Sequence, residues 1–256
     1  MITKKQVKEL SKKTQILDAV IVREFVQLSF LKELYEETFS KDIFFKGGTA
    51  IRLVYKGQRF SEDLDFSVDM EEDEFEEKIV PFLKKLENIY PFSFKRKESI
   101  SGYTYLLTAD IPFLEGRVFV KLDFSTRENV LEPTQSILRT EYPIVFRSFV
   151  NVLSINEIFA EKVRAVMTRI KHRDLYDLWV LQELGARFDK DLVIKKLEYY
   201  DIHDINSKML EERLVWFSKK DFVRDLSPFV PRDERENLSS FYNYIIQYLR
   251  ESFKGV

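Results

Sequence analysis

The chain has 256 residues, 45% of them hydrophobic and 23 of them phenylalanine, enough to bury a substantial core in one large domain or two closely packed ones. It has no cysteine and only two histidines, which excludes a disulfide framework and leaves zinc without its usual ligands. Its formal net charge of −2 means that any nucleic acid must be held by a local basic patch, because the field of the whole molecule would not attract one.

The opening Met1-Ile2-Thr3-Lys4-Lys5-Gln6 is a charged capping box, not a secretory signal, and no later run is apolar over membrane length, so a cytoplasmic protein is expected. Residues 14–39 read as one long, mostly buried helix, and Ile43, Phe44 and Phe45 as a short buried strand. Then comes Lys46-Gly47-Gly48-Thr49. The two glycines let the backbone approach a bulky anion, and Thr49 is expected to cap a helix over 49–55 whose first-turn N–H groups favour phosphate.

Asp63-Leu64-Asp65-Phe66-Ser67-Val68 alternates in the manner of a half-buried strand, so the carboxylates of Asp63 and Asp65 project together. Their repulsion would be relieved by a divalent cation sharing phosphate oxygens. The acidic run Asp69 to Glu77 reads as the solvent-facing first turn of a helix over 72–88, with Phe75, Ile79, Phe82, Leu83 and Leu86 inward, in preference to extra metal binding.

Three strands follow at 92–97, 102–111 and 117–125. In the last, Lys121, Asp123 and Ser125 lie opposite Val118, Val120, Leu122 and Phe124. Asp123 supplies a third acid: two carboxylates could hold the cations while the third draws a proton from an attacking hydroxyl. The plainer alternative for each acidic pair is the solvated face of an ordinary strand.

Residues 126–153, with Pro133 and Pro143, read as a connection, and helical periodicity runs from Ser154 onward over 155–170, 173–184, 190–200, 204–217 and 234–253. An α/β region over 1–150 and a helical region over 151–256 are expected, with the active site in the cleft between them. In the first of these helices Lys162 falls inside the apolar stripe of Ile155, Ile158, Phe159, Val163, Val166 and Ile170, with Arg169 at its edge. An ammonium there is costly unless it reaches an anion or water, so Lys162 is expected to emerge where phosphate would meet it, the alternative being a structural salt bridge. Asp174 and Asp177 share the apolar face of the next helix and need partners, either helix N–H groups for Asp174 or Arg169 and Arg173 for Asp177. Arg164, Arg169, Lys171 and Arg173, with Lys162, place five basic residues in twelve positions, which suits a polyanion.

Three motifs, Lys46-Gly47-Gly48-Thr49-Ala50, Arg59-Phe60-Ser61-Glu62-Asp63-Leu64-Asp65-Phe66, and Glu161-Lys162-Val163-Arg164-Ala165 through Arg169 to Arg173-Asp174-Leu175-Tyr176-Asp177-Leu178, resemble in order those of the AbiEii/AbiGii-type nucleotidyltransferase toxins. That family is similar to the polymerase-β-like nucleotidyltransferases. Thr49 stands where many relatives have Ser and keeps the hydroxyl. The resemblance implies an α/β (α+β) fold, a nucleotidyltransferase-like mixed sheet with flanking helices plus a C-terminal helical bundle. It implies nucleotide binding at Lys46, Gly47, Gly48, Thr49, Lys162 and Arg169, metal (Mg²⁺ or Mn²⁺) at Asp63 and Asp65, and an active site completed by Lys162 and Asp174. The place of Asp123 as a third metal ligand or catalytic acid rests on the strand pattern.

The activity so implied is transfer of a nucleoside monophosphate from an NTP to an acceptor hydroxyl, with release of pyrophosphate. RNA, as the 3′ end of tRNA, is the expected acceptor, with Arg164, Lys171 and Arg173 against it. The family also implies a toxin of a type IV (abortive infection) system opposed by an antitoxin encoded by a neighbouring gene. Two alternatives use the same chain: a catalytically silent nucleotide or RNA-binding module, whose sign would be a missing acid, and transfer onto a protein or small molecule.

Overall fold

The computed structural model describes residues 1–98 and 102–254. The chain divides into two units, Met1–Val54 with Phe60–Leu153 and Tyr55–Arg59 with Ser154–Val256.

The first unit opens with helix α1 (Lys4–Thr14), where the Thr3 hydroxyl and the Gln6 side chain cap one another. Gln15 then adopts a left-handed conformation (φ 56°) and ends it. The single helix expected over 14–39 is therefore broken: α2 (Asp18–Leu34) begins after Leu17, and a 3₁₀ turn occupies Thr38–Asp42. Helix α2 is buried on almost every side, and its buried residues include Glu24 and Gln27 among Val22, Phe25, Leu28 and Phe30.

A seven-stranded mixed sheet carries the unit, built from β1 (Ile43–Lys46), β2 (Leu64–Val68), β3 (Phe92–Lys97), β4 (Tyr103–Ala109), β5 (Val118–Ser125), β6 (Pro133–Ser136) and β7 (Val150–Leu153). Their order is β3-β4-β5-β2-β1-β7-β6. The β2–β5 and β1–β7 pairs are parallel and the others antiparallel. Segment 126–153 is thus more than a connection, since it supplies two strands. Val150, Asn151, Val152 and Leu153 are all buried, and a four-residue strand covered on both faces shows neither alternation nor length for a pattern to reveal.

One sheet face is an aromatic core. Phe66 stacks on Phe124 at 4.8 Å and meets Phe45 at 5.6 Å, while Phe30 of α2 meets Phe82 of α4 (Glu72–Ile89) at 5.8 Å. Each such ring contributes roughly 2–3 kcal/mol by leaving water. Helix α4 carries Glu72, Asp73 and Glu74 in its first turn and buries Phe75, Ile79, Phe82, Leu83 and Leu86, as its pattern predicts. A short helix, α3 (Gly47–Leu53), links β1 to the region before β2.

The second unit is helical: α5 (Ile155–Thr168), α6 (Arg173–Glu183), α7 (Lys190–Leu197), α8 (Ser207–Leu214), α9 (Lys219–Leu226) and α10 (Leu238–Ser252). Ser154, Asp189, Asn206 and Ser218 accept from the third residue of α5, α7, α8 and α9. Helix α9 lies outside the segments whose periodicity predicted helix. It is eight residues long and runs into Ser227-Pro228, and the two nearby prolines read as a break. Inside this unit Lys196 is fully buried, with Glu157 at 2.6 Å and Glu161 at 3.5 Å.

Candidate active site

Helix α3 begins at Gly47 with Lys46 before it, two residues earlier than expected. Thr49 therefore sits inside the first turn and does not cap it. Its hydroxyl donates instead to the carbonyl of Asp63, tying α3 to the entry of β2. Gly47 has φ +75°, and a Cβ there would lie 2.2 Å from Asp65 Oδ2 and 2.9 Å from its Cγ. Only glycine satisfies both the backbone and the space. The close approach that this turn permits in the structure is that of the Asp65 carboxylate.

Strand register assembles the rest. Lys46 of β1 lies opposite Asp65 of β2, Asp65 opposite Asp123 of β5, and Asp123 opposite Thr104 of β4. These four residues make one row across the sheet, on the side away from the phenylalanines, and Asp63 falls two positions before Asp65. Asp123 accepts from Thr104 Oγ1 at 2.7 Å on one oxygen and from Lys121 Nζ at 2.8 Å on the other. Partial burial works against the Lys121 charge. Its bond to Asp123 and the charges of Asp123, Asp65 and Asp63 outweigh that and raise its pKa above lysine's ordinary value. One ammonium therefore feels all three carboxylates. Hard oxygen donors of this kind suit Mg²⁺ or Mn²⁺. Among the described residues, no three acidic, histidine or cysteine side chains are already gathered at ion-binding distance.

The loop before Asp63 is held by residues that motif reading missed. Gln27 of α2 donates to the Ser61 carbonyl at 3.2 Å, and Arg23 reaches Glu62 at 3.3 Å. Glu24 pairs with Arg52 Nε at 2.5 Å and accepts from the Tyr142 hydroxyl at 3.0 Å. The Arg52 guanidinium in turn covers the buried Phe60 ring at 3.5 Å. The available signal was three polar residues within five positions in the middle of a helix that is buried on almost every side.

In the second unit, Lys162 is buried and salt-bridged, with Asp174 at 2.7 Å and Asp177 at 2.6 Å. Arg59 grips Asp177 with two bonds, 2.6 and 2.7 Å, and Arg169 reaches Asp174 at 2.9 Å. The partner of Asp177 is thus Arg59, 118 positions away, in place of the neighbouring Arg169 or Arg173. Burial would raise both carboxyls, but Arg59 and Lys162 hold Asp177, and Lys162 and Arg169 hold Asp174, below the usual carboxylate range. Burial would lower Lys162, yet Asp174 and Asp177 raise it.

The remaining basic residues of this segment diverge. Arg164 packs over the Tyr200 ring at 5.0 Å and bonds its hydroxyl, Arg173 lies over Phe229 at 4.7 Å, and Lys171 is half-buried.

Residues 29–244 match the family model described as AbiEii, a nucleotidyl transferase toxin of a Type IV TA system. Among solved structures the chain is similar to MenT4, a nucleotidyltransferase toxin from Mycobacterium tuberculosis, at 19% identity and a TM-score of 0.67, over 100% of this chain and 95% of that one. It is also similar to JHP933 from Helicobacter pylori, at 20% identity and a TM-score of 0.53, over 93% and 95% of the two chains. At these identities both are likenesses of fold. No curated protein matches. Arg23, Glu24 and Gln27 precede the matched span.

Proposed function

The chain belongs to the AbiEii family of nucleotidyl transferase toxins of Type IV toxin–antitoxin systems, and on that premise we propose that it transfers a nucleoside monophosphate from an NTP to a hydroxyl of RNA, at the 3′ end of tRNA. The observation that carries this reading is the in-register pair Asp65 and Asp123, flanked by Asp63 and by a glycine whose missing side chain makes room for the Asp65 carboxylate.

Asp63 and Asp65, with Asp123 beside them, would hold a divalent cation, which supplies neutralisation of the α-phosphate and of the leaving charge. Asp123 is the better candidate to receive the acceptor's proton. Its side chain is about one-third exposed, whereas Asp174 is 1% exposed and closed in by Lys162 and Arg169. The acceptor oxygen forms a bond to the α-phosphorus, the bond to the bridging oxygen breaks, pyrophosphate leaves, and the hydroxyl proton passes to the Asp123 carboxylate. Thr104 and Lys121 hold that carboxylate in place. Lys46, Gly47, Gly48 and Thr49 are assigned to nucleotide by resemblance.

In the second unit, the cluster of Arg59, Lys162 and Arg169 against Asp174 and Asp177 sets three cations against two carboxylates. The surplus charge, with Arg169 as its solvent-reaching member, supports a phosphate-handling role for Lys162 and Arg169, with Asp174 as the carboxylate that positions both. Family membership implies an antitoxin, which we place in a neighbouring gene. No helix among the described residues is long and apolar enough to cross a membrane, and we assign the protein to the cytoplasm.

Incubation of the purified protein with α-³²P-labelled NTPs and total cellular RNA tests the acceptor. Label in a tRNA-sized band is the expected result. Label in protein or a small product redirects the assignment, and no label at all favours a silent binding module.

A further inference from the structure

Helix α8 ends at Leu214 and α9 begins at Lys219, and the turn between them displays two large apolar side chains to solvent. Val215 is 73% and Trp216 is 64% exposed. Trp179, the chain's other tryptophan, packs against Phe241 at 4.7 Å within the helical unit.

The turn is firmly anchored. Phe217 is buried, and its carbonyl accepts from the Tyr242 hydroxyl at 2.5 Å. The Ser218 amide donates to His172 Nε2 at 3.2 Å, and the Ser218 hydroxyl caps α9. The His172 ring also meets Phe217 edge-on at 5.6 Å. With Phe217 pinned inward on one side, Trp216 is held outward on the other.

The His172 contact brings a second segment alongside. Arg169 and Ile170, three and two residues before His172, are both about half exposed, and Lys171 adjoins them. Arg213 donates from Nε to the Val166 carbonyl at 2.6 Å, one of the last carbonyls of α5, and its guanidinium lies 5.7 Å from the Trp216 ring. Lys219 and Lys220 open the next helix. Of the acids nearby, Asp221 and Asp225 pair with Arg224 at 2.5 and 3.0 Å, Asp225 also meets His172 at 3.2 Å, and of the exposed Glu211 and Glu212 beside Arg213 the latter faces Lys208 at 3.9 Å. What results is an exposed indole and two exposed aliphatic side chains interleaved with Arg169, Lys171, Arg213, Lys219 and Lys220.

We propose that this surface binds single-stranded RNA, with a base stacked on Trp216 and the flanking phosphates on Arg213, Lys171 and Arg169. A rigid aromatic ring set among cations is what sequence-tolerant binding of single-stranded nucleic acid requires, because every base has a π face and every nucleotide a phosphate. The cations favour this polyanion over an apolar protein partner. The inference rests on the reading that the acceptor is RNA, and it names a contact beyond the reacting hydroxyl.

Trp179→Phe keeps a ring in the α6–α10 aromatic cluster and leaves Trp216 as the sole fluorescent tryptophan. Titrating that variant with a single-stranded RNA of roughly 12 nucleotides, while following anisotropy of the same RNA carrying fluorescein, separates the possibilities. Saturable quenching of Trp216 emission at the concentrations that shift anisotropy is expected. Trp216→Ala should weaken binding about tenfold, and Trp216→Tyr should recover most of it. Binding by anisotropy with unchanged emission and undiminished affinity in Trp216→Ala would overturn the stacking site while leaving an RNA acceptor in place. Absence of RNA binding, with label from NTP appearing in protein, would overturn both.

Discussion

Asp65 of β2 and Asp123 of β5 are direct partners in a parallel strand pair, so two carboxylates stand one strand spacing apart on the same face of the sheet. Unscreened, they would push one another toward protonation. Lys121 and Thr104 bond the outer member, and Gly47 leaves room for the inner one. The outer carboxylate is thus bonded on both oxygens and the inner one has room beside a bare backbone, so neither is covered with bulk.

Thr104 is the simplest handle on that orientation. Thr104→Val keeps shape and burial but removes the donor to Asp123, which water can partly replace. Stability should fall by about 1 kcal/mol, while kcat for nucleotidyl transfer should fall about tenfold with little change in KM for NTP. Steady-state kinetics and urea unfolding on the same preparation check both numbers.

Gly47→Ala should be far more damaging than its single methyl suggests. The new Cβ would meet Asp65 Oδ2 at 2.2 Å and the backbone would be held at φ +75°. A loss of roughly 1–3 kcal/mol in stability and a displaced Asp65 should appear together as a lower melting temperature and a near-complete loss of transfer. Normal activity in this variant would show that Asp65 does not need its observed place.

A lysine on an apolar stripe invites the expectation that methionine would be tolerated there, and the salt bridges reverse it. Lys162→Met leaves Asp174 and Asp177 buried with reduced compensation, at a cost of about 3–5 kcal/mol. Lys162→Met combined with Asp177→Asn should recover part of that loss. Chemical denaturation of the single and double variants measures the recovery.

The same cluster dictates the pH response. Asp174 and Asp177 have folded pKa values below their unfolded ones, so the unfolded chain binds more protons as the medium becomes acid. Their contribution is complete above about pH 4, the ordinary carboxylate value, and is lost as pH falls below it through the depressed folded values. Lys162 is raised, so its contribution is complete below about pH 10 and is lost as pH rises through its folded value. Asp177→Asn should flatten the acid limb of stability against pH, and an unchanged limb would contradict the assigned pairing.

Period-two alternation is a property of the chain itself, which is why Asp65 and Asp123 could be placed on polar strand faces from the residues alone, whereas Asp63, expected in the same strand, lies just before β2. That β5 lies against β2 in the register joining Asp65 to Asp123 is set by long-range pairing, which no local pattern encodes. Similarly, the position of Lys162 announced the need for a counter-ion but not that Asp177 would also take Arg59. Arg23, Glu24 and Gln27 escaped notice because a helix buried all round has no polar stripe to read against. The break at Gln15 had no signal, since a left-handed glutamine lacks the glycine or asparagine that usually marks one.

If the carboxylate row of the sheet performs nucleotidyl transfer, Asp65→Asn should abolish it, because that substitution removes one charge and changes almost no volume. With α-³²P-labelled NTP and tRNA under single-turnover conditions, the unaltered protein should label the RNA and release pyrophosphate. The variant, melting at the same temperature or slightly above, should show a loss on the order of 10³-fold or more. Equal labelling by the two proteins would show that the Asp65 carboxylate takes no part in the transfer.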